Sequence, residues 1–215
     1  MANVFLRMFA ALLATTIAAF AVVNSYELQY MIFGSDFTFY GLLIGELALV
    51  IGISAGINKL SVPMANVLFF LFAIINGLTL SSIFWVYDLE VIYSAFGVSA
   101  LMFAVMAGYG LITKKDLTSI GNLCIMGLIG IIIASIVNIF MRNSMMDAII
   151  NYIGVFVFIG LTAYDAQRIR NMLADANAAD QEEAVRKITV IGALTLYLDF
   201  INLFLKILRI MGRKR

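Results

Sequence analysis

A chain of 215 residues that is 63% hydrophobic, 13% charged and has a single proline cannot hide its apolar surface as a water-soluble domain, so it reads as a polytopic membrane protein. Fourteen Lys and Arg against thirteen Asp and Glu leave a net charge of +1, which argues against nucleic acid as a partner. Histidine is absent and Cys124 is the sole cysteine, so an internal disulfide is excluded and any pH response near neutrality falls to carboxylates.

The first apolar segment covers 7–24. With Arg7 as its one basic flank and no small-residue cleavage pattern, it reads as a retained span and not a signal peptide. The second, 40–57, carries Glu46 at its centre and is followed by Asn58 and Lys59. The third, 63–86, starts at Pro63, which a first helical turn tolerates, and spaces Asn76, Thr79 and Ser82 by three. The fourth, 92–112, ends before Lys114, Lys115 and Asp116, and the fifth, 120–141, sets Ser135, Asn138 and Arg142 on one face. The sixth, 146–166, ends around Asp165. The segment 167–187 balances four bases with four acids and suits a solvated helix or a helical extension of span six.

The seventh segment, 188–211, is long enough for the roughly 30 Å hydrocarbon core. On a helix, Gly192, Thr195, Asp199, Asn202, Lys206 and Arg209 fall on one narrow stripe, and the remainder is apolar. A carboxylate facing lipid is costly, so the stripe is expected to face protein or a water-filled cavity, with this helix central and the others packed around it. The bland alternative is a surface helix in which Asp199 merely pairs with Lys206.

Lys59, then Lys114 and Lys115, then Arg168, Arg170, Arg186 and Lys187 follow the even-numbered spans, which places the N-terminus in the cytoplasm. Seven crossings then carry the basic tail Arg213, Lys214 and Arg215 outside, against the same rule. Full crossing is preferred to a re-entrant dip because no Pro or Gly pair offers a turn.

Gly52, Ser54 and Gly56 spell G-x-S-x-G, but a hydrolase elbow needs a strand-to-helix turn and a histidine base. Ala48, Gly52 and Gly56, and likewise Gly130, Ala134 and Asn138, read instead as small-residue ridges for close helix packing. There is no phosphate-binding G-x-x-x-x-G-K-[ST] loop and no zinc ligand set, so no enzyme and no cofactor is expected. What remains is three acids, Glu46, Asp165 and Asp199. With Asn76, Asn138 and Asn202 they supply the oxygen ligands a hard cation such as calcium wants, and two of them close together would share a proton. The plainer reading pairs Asp165 with Arg168 and Asp199 with Lys206.

The segments Gly160-Leu-Thr-Ala-Tyr-Asp165-Ala-Gln, Leu196-Tyr-Leu-Asp199-Phe-Ile-Asn202-Leu-Phe and Gly77-Leu-Thr79-Leu-Ser-Ser, with the loop Thr113-Lys-Lys-Asp-Leu, resemble the transmembrane Bax inhibitor motif family, also called the Bax inhibitor-1 family. The resemblance covers essentially the whole chain and places it among bacterial inner-membrane members. It implies an all-α membrane protein, a seven-transmembrane-helix bundle with the C-terminal helix at the centre. It also implies a pH-sensitive calcium leak channel gated by paired aspartates, which match Asp165 and Asp199, with Glu46 matching the glutamate of the second helix. Thr79, Asn138 and Asn202 are further candidates for the ion pathway.

In some bacterial relatives an arginine at the cytoplasmic end of span two latches onto the first aspartate. Here Lys59 stands in that neighbourhood, a point charge without the two-pronged geometry of Arg, and the latch candidates are Lys59 and Arg168. Depth is a second tension: Asp165 lies near the end of its span, while Asp199 lies about 18 Å past Lys187 on a helix. The two meet only if span seven begins as a helix in the cytoplasm or span six is sunk deeper.

The expected partners are the lipid bilayer, calcium and protons. The alternative is a membrane regulator without ion transport that binds another membrane protein, such as a quality-control protease. Proton-coupled transport of a solute would need a site between internal repeats, and none is evident.

Overall fold

The computed structural model describes residues 1–212, and helices account for nearly all of them. In order these are α1 (Ala2–Val23), α2 (Tyr26–Phe33), α3 (Asp36–Gly56), α4 (Val62–Leu80), α5 (Ile83–Val86), α6 (Leu89–Ile112), α7 (Thr118–Met141), α8 (Ser144–Ala178) and α9 (Glu182–Met211). No strand occurs among the described residues, and seven helical segments are long and apolar enough to cross a bilayer, with α4 and α5 counted together. The chain is an all-α membrane protein. Arg213, Lys214 and Arg215, the tail that conflicts with the charge rule, lie outside the described residues.

The third apolar segment is continuous in hydropathy but not in structure. The Ser81 hydroxyl donates to the Leu78 carbonyl at 2.6 Å and the Ser82 hydroxyl to the Thr79 carbonyl at 2.9 Å, offering the backbone local partners in place of the helix ladder, and the helix breaks there. The short α2 falls where the sequence reads as a loop. Ser25 caps it by accepting from the Leu28 amide at 3.4 Å, and Glu27 lies in its first turn, where the helix dipole favours an acid.

The single membrane domain read from the sequence packs as two compact units, each assembled from separate stretches. The first comprises Met1–Val86 and Met172–Tyr197. In it α4 packs on both α1 and α3, and α2 touches α1 and α3. A Cβ on Gly77 would collide with the Thr15 carbonyl, so only glycine allows α1 and α4 to approach this closely. The Arg7 guanidinium donates to Asn66 Oδ1 between the same helices.

The second unit comprises Tyr87–Asn171 and the chain from Leu198 onward. Cys124 Sγ of α7 packs onto the bare backbone of Gly160 in α8. Phe96 and Phe103 of α6 set their rings edge-on to Phe200 of α9 at 5.4 and 5.6 Å, the offset arrangement aromatic quadrupoles favour. Arg142 ends α7 in the left-handed region (φ 49°), the Asn138 amide oxygen accepts from the Asn143 amide, and Asn143 in turn caps α8 by accepting from the Met145 and Met146 amides.

Helices α8 and α9 have 35 and 30 residues, or about 52 and 45 Å, well beyond the hydrocarbon thickness. The charged segment 167–187 is therefore helical on both sides of a turn at 179–181, where Asp180 is left-handed (φ 54°). Thirteen residues of α8 follow Asp165 and seventeen of α9 precede Asp199, so the two acids stand at comparable distances from the turn and the expected conflict of depth disappears. Of the seven segments, α9 buries the largest share of its apolar window, 67%, whereas α3 and α7 bury 6% each.

Candidate functional site

Asp165 on α8 and Asp199 on α9 are 9% and 5% exposed, and their carboxyl groups are direct neighbours. Asp199 Oδ2 is fully buried and has no hydrogen-bond partner among the described residues. Neither acid makes an ion pair there. Arg168, three residues past Asp165, is exposed and acts on it only as a more distant charge, and Asp199 and Lys206 do not pair. Two carboxylates without a counter-ion repel each other in a medium of low dielectric, so this arrangement can hold a shared proton or accept a cation.

The surroundings of the pair fix its geometry. On α8, Gly110 of α6 comes against the Ala163 backbone and Gly121 of α7 against the Tyr164 ring, both at distances a side chain would forbid. Two residues past Asp165, Gln167 clamps the loop between α6 and α7: its Oε1 accepts from the Leu117 amide at 2.9 Å and its Nε2 donates to the Lys115 carbonyl at 2.8 Å. Arg170 donates to the Leu111 carbonyl beside it. In that loop Asp116 accepts from the hydroxyl and then the amide of Thr118, which hold its carboxyl below the usual carboxylate range.

Away from the α8–α9 turn, the same two helices carry a second polar layer. Arg209 approaches Asp147 at 4.0 Å, Asn151 Nδ2 donates to Asp147 Oδ2 at 3.2 Å, and the Lys206 stem lies over Gly154. Asn151 is buried and its Oδ1 is without a partner among the described residues. Asn202, between the layers on α9, bonds back to the Leu198 carbonyl.

Glu46 belongs to a different set of contacts, within the first unit. Thr79 donates to its Oε1 at 2.6 Å and Asn76 to its Oε2 at 3.1 Å, so the candidate pathway residue Thr79 is a ligand of Glu46. Tyr197 of α9 donates to Asn76 Oδ1 at 2.9 Å and stands 2.6 Å from the Thr15 hydroxyl, which itself donates to the Ala73 carbonyl at 2.8 Å. Sequence reasoning misses Tyr197 and Thr15. The available signal is a phenol inside an apolar helix, whose hydroxyl must find a partner when buried.

Other candidates lie elsewhere. Asn138 is occupied in the cap of α7, and Lys59 is exposed with no ion pair among the described residues. The cation that reaches the end of α3 is Lys187, which donates to the Asn58 carbonyl at 3.1 Å and pairs with Glu183 at 2.9 Å. The glycine ridges receive no helix: a Cβ on Gly52 or Gly130 would meet nothing within 4 Å, and one on Gly56 only Leu60. No three acidic or thiol side chains converge among the described residues. A calcium ion at Asp165 and Asp199 would therefore complete its shell from carbonyls, amides and water.

The whole chain, residues 1–215, matches a family profile described as "Inhibitor of apoptosis-promoting Bax1". It is 46% identical to the inner membrane protein YbhL of Escherichia coli strain K12, over all of this chain and 92% of that one. An uncharacterized protein of Borreliella burgdorferi is 42% identical over the same shares. An uncharacterized membrane protein of Streptococcus pyogenes is 38% identical over 81% of this chain and 74% of its own.

Proposed function

We propose that this chain, which belongs to the Bax inhibitor-1 family, is a passive cation leak, selective enough to carry calcium, whose opening follows the protonation of Asp165 and Asp199. The observation that carries this reading is a pair of buried, adjacent carboxyls that have, among the described residues, no counter-ion and one oxygen without a donor, on the two longest helices. A purely structural acid would be expected to have its partners, because an unsatisfied buried polar group destabilises a fold by about 1–3 kcal/mol. As pH falls the pair gains a proton and loses its hold on a divalent ion, and as pH rises it regains both charge and affinity. The protein sits in the bacterial inner membrane with its N-terminus in the cytoplasm, and the pathway runs along α8 and α9. Asn202 lies beside it on α9, and Glu46 and Thr79 steady helices of the first unit.

The test is calcium influx into liposomes holding an indicator, followed from about pH 6 to 8, on both sides of neutrality. Wild-type flux is expected to vary with pH, and Asp165→Asn or Asp199→Asn to abolish the variation. Folded protein that passes no more calcium than empty vesicles at any pH would end the leak reading.

A second reading, a membrane regulator that binds another membrane protein, draws support from the unoccupied faces of Gly52 and Gly130 on the two least buried helices. It predicts co-purification of one membrane protein that is lost when those glycines become leucine, with flux absent throughout.

A further inference from the structure

We infer that Lys206 is a tethered stopper in the seam between α8 and α9: its ammonium stands in the route of a leaking cation and limits the rate at which a divalent ion passes. The inference rests on the leak reading above and adds to it a rate-setting residue outside the aspartate pair.

The seam is built by two matching faces. On α8, Asp147, Asn151, Gly154 and Asp165 recur at helical spacing, and on α9 so do Asp199, Lys206 and Arg209. Three cross-contacts align them in antiparallel order: Asp165 with Asp199, Gly154 with Lys206, and Asp147 with Arg209. Among the described residues, two buried side-chain polar atoms lack partners, Asp199 Oδ2 and Asn151 Oδ1, and both belong to these faces. Buried acceptors of this kind are commonly met by internal water.

Lys206 lies between the two orphan atoms. A Cβ on Gly154 would fall 2.9 Å from both Cδ and Cε of Lys206, so the absence of a side chain at 154 is what seats the lysine stem across the seam. The side chain is half-buried, and its ammonium has no hydrogen bond or ion pair among the described residues. The charges that act on it are those of Arg209 and Asp147, and Asp147 already serves Arg209 and Asn151. A lysine in place only for packing would be expected to send its charge to a dedicated partner or to open water. Here the stem crosses the seam at Gly154 and, among the described residues, no partner neutralises the charge.

The consequence is electrostatic and scales with the charge of the passing ion. Even with the full screening of water, a unit charge about 6 Å away lowers the local population of a divalent cation about tenfold and that of a monovalent cation about threefold. Lys206 would therefore restrain calcium more than potassium.

The experiment compares initial influx of calcium and of potassium into liposomes for the wild type, Lys206→Met, Lys206→Gln and Lys206→Arg, each first shown to be helical and monodisperse. Lys206→Met and Lys206→Gln are expected to raise calcium influx about tenfold and potassium influx about threefold, as removal of one unit charge requires, and Lys206→Arg to keep wild-type rates. Equal gains for both ions would signal loosened packing and overturn the stopper, as would wild-type calcium rates in both neutral variants. Those results leave a pH-dependent wild-type leak standing. If all four proteins match empty vesicles, the leak reading falls and the stopper with it.

Discussion

Two groups of acids set in apolar helices are treated in opposite ways in this molecule. Glu46 has a donor on each carboxylate oxygen, Thr79 on one and Asn76 on the other, and Asn76 is held in turn by Tyr197. Asp165 and Asp199 have chiefly each other, with Asp199 Oδ2 left over. The same functional group is thus a cross-link in one unit and an unsettled charge in the other. The difference lies in what faces each acid: neutral donors supply Glu46 with a partner for each oxygen, whereas a second carboxyl gives Asp199 only another acid.

The sharpest way to break this contrast is to remove the cross-link. Glu46→Ala leaves Asn76 Nδ2 without its acceptor and the Thr79 hydroxyl with only the Asn76 carbonyl at 3.1 Å, and is expected to destabilise the protein by about 2 kcal/mol, with Tyr197→Phe causing about half of that loss. Unfolding in mixed detergent micelles measures both, and a loss below about 1 kcal/mol for Glu46→Ala would remove the distinction between the two groups. Asp199→Asn should behave differently. There is no donor to lose at Oδ2 and a repulsion to relieve, so stability is expected to stay within about 1 kcal/mol of wild type or to rise, while the pH dependence of calcium influx disappears.

The smallest effect sharpens the contrast from outside the membrane. Asp116 is a loop acid with neutral donors, and its carboxyl is held below the usual range by Thr118. A group whose folded pKa is depressed stabilises the fold above its unfolded pKa and loses that contribution as pH falls through the folded value. Asp116→Asn should therefore match wild type in strong acid and fall slightly behind once pH rises above the ordinary carboxylate range. A pH series of thermal midpoints would detect it, and an equal deficit at every pH would assign the effect to packing of the loop.

Much of the candidate site is legible in the sequence because the cost of isolating charge in hydrocarbon is large enough to mark a residue by itself. Asp165, Asp199 and Glu46 stand out against apolar neighbours for that reason. Their partners are harder to read. Tyr197 meets groups 121 and 182 residues away, and nothing in the local pattern distinguishes its phenol from those of tyrosines facing lipid. The break at Ser81 and Ser82 leaves hydropathy unchanged, since two hydroxyls that satisfy local carbonyls cost little apolar character. The glycine ridges mislead in the other direction. Spacing records that a helix can come close at Gly52 or Gly130, and only the fold reveals that none of the described helices does. The clamp made by Gln167 hides for a related reason, because a glutamine at the end of a span looks like the start of a polar loop.

Cys124, sealed against Gly160, has a practical meaning of its own. A bulky thiol reagent has no room at that sulfur while α7 and α8 stay in contact, so the native chain is silent to labelling and any cysteine placed elsewhere reports alone. The moment those helices part, the sulfur becomes available, and the rate at which it is modified times the opening of the wall that carries Asp165.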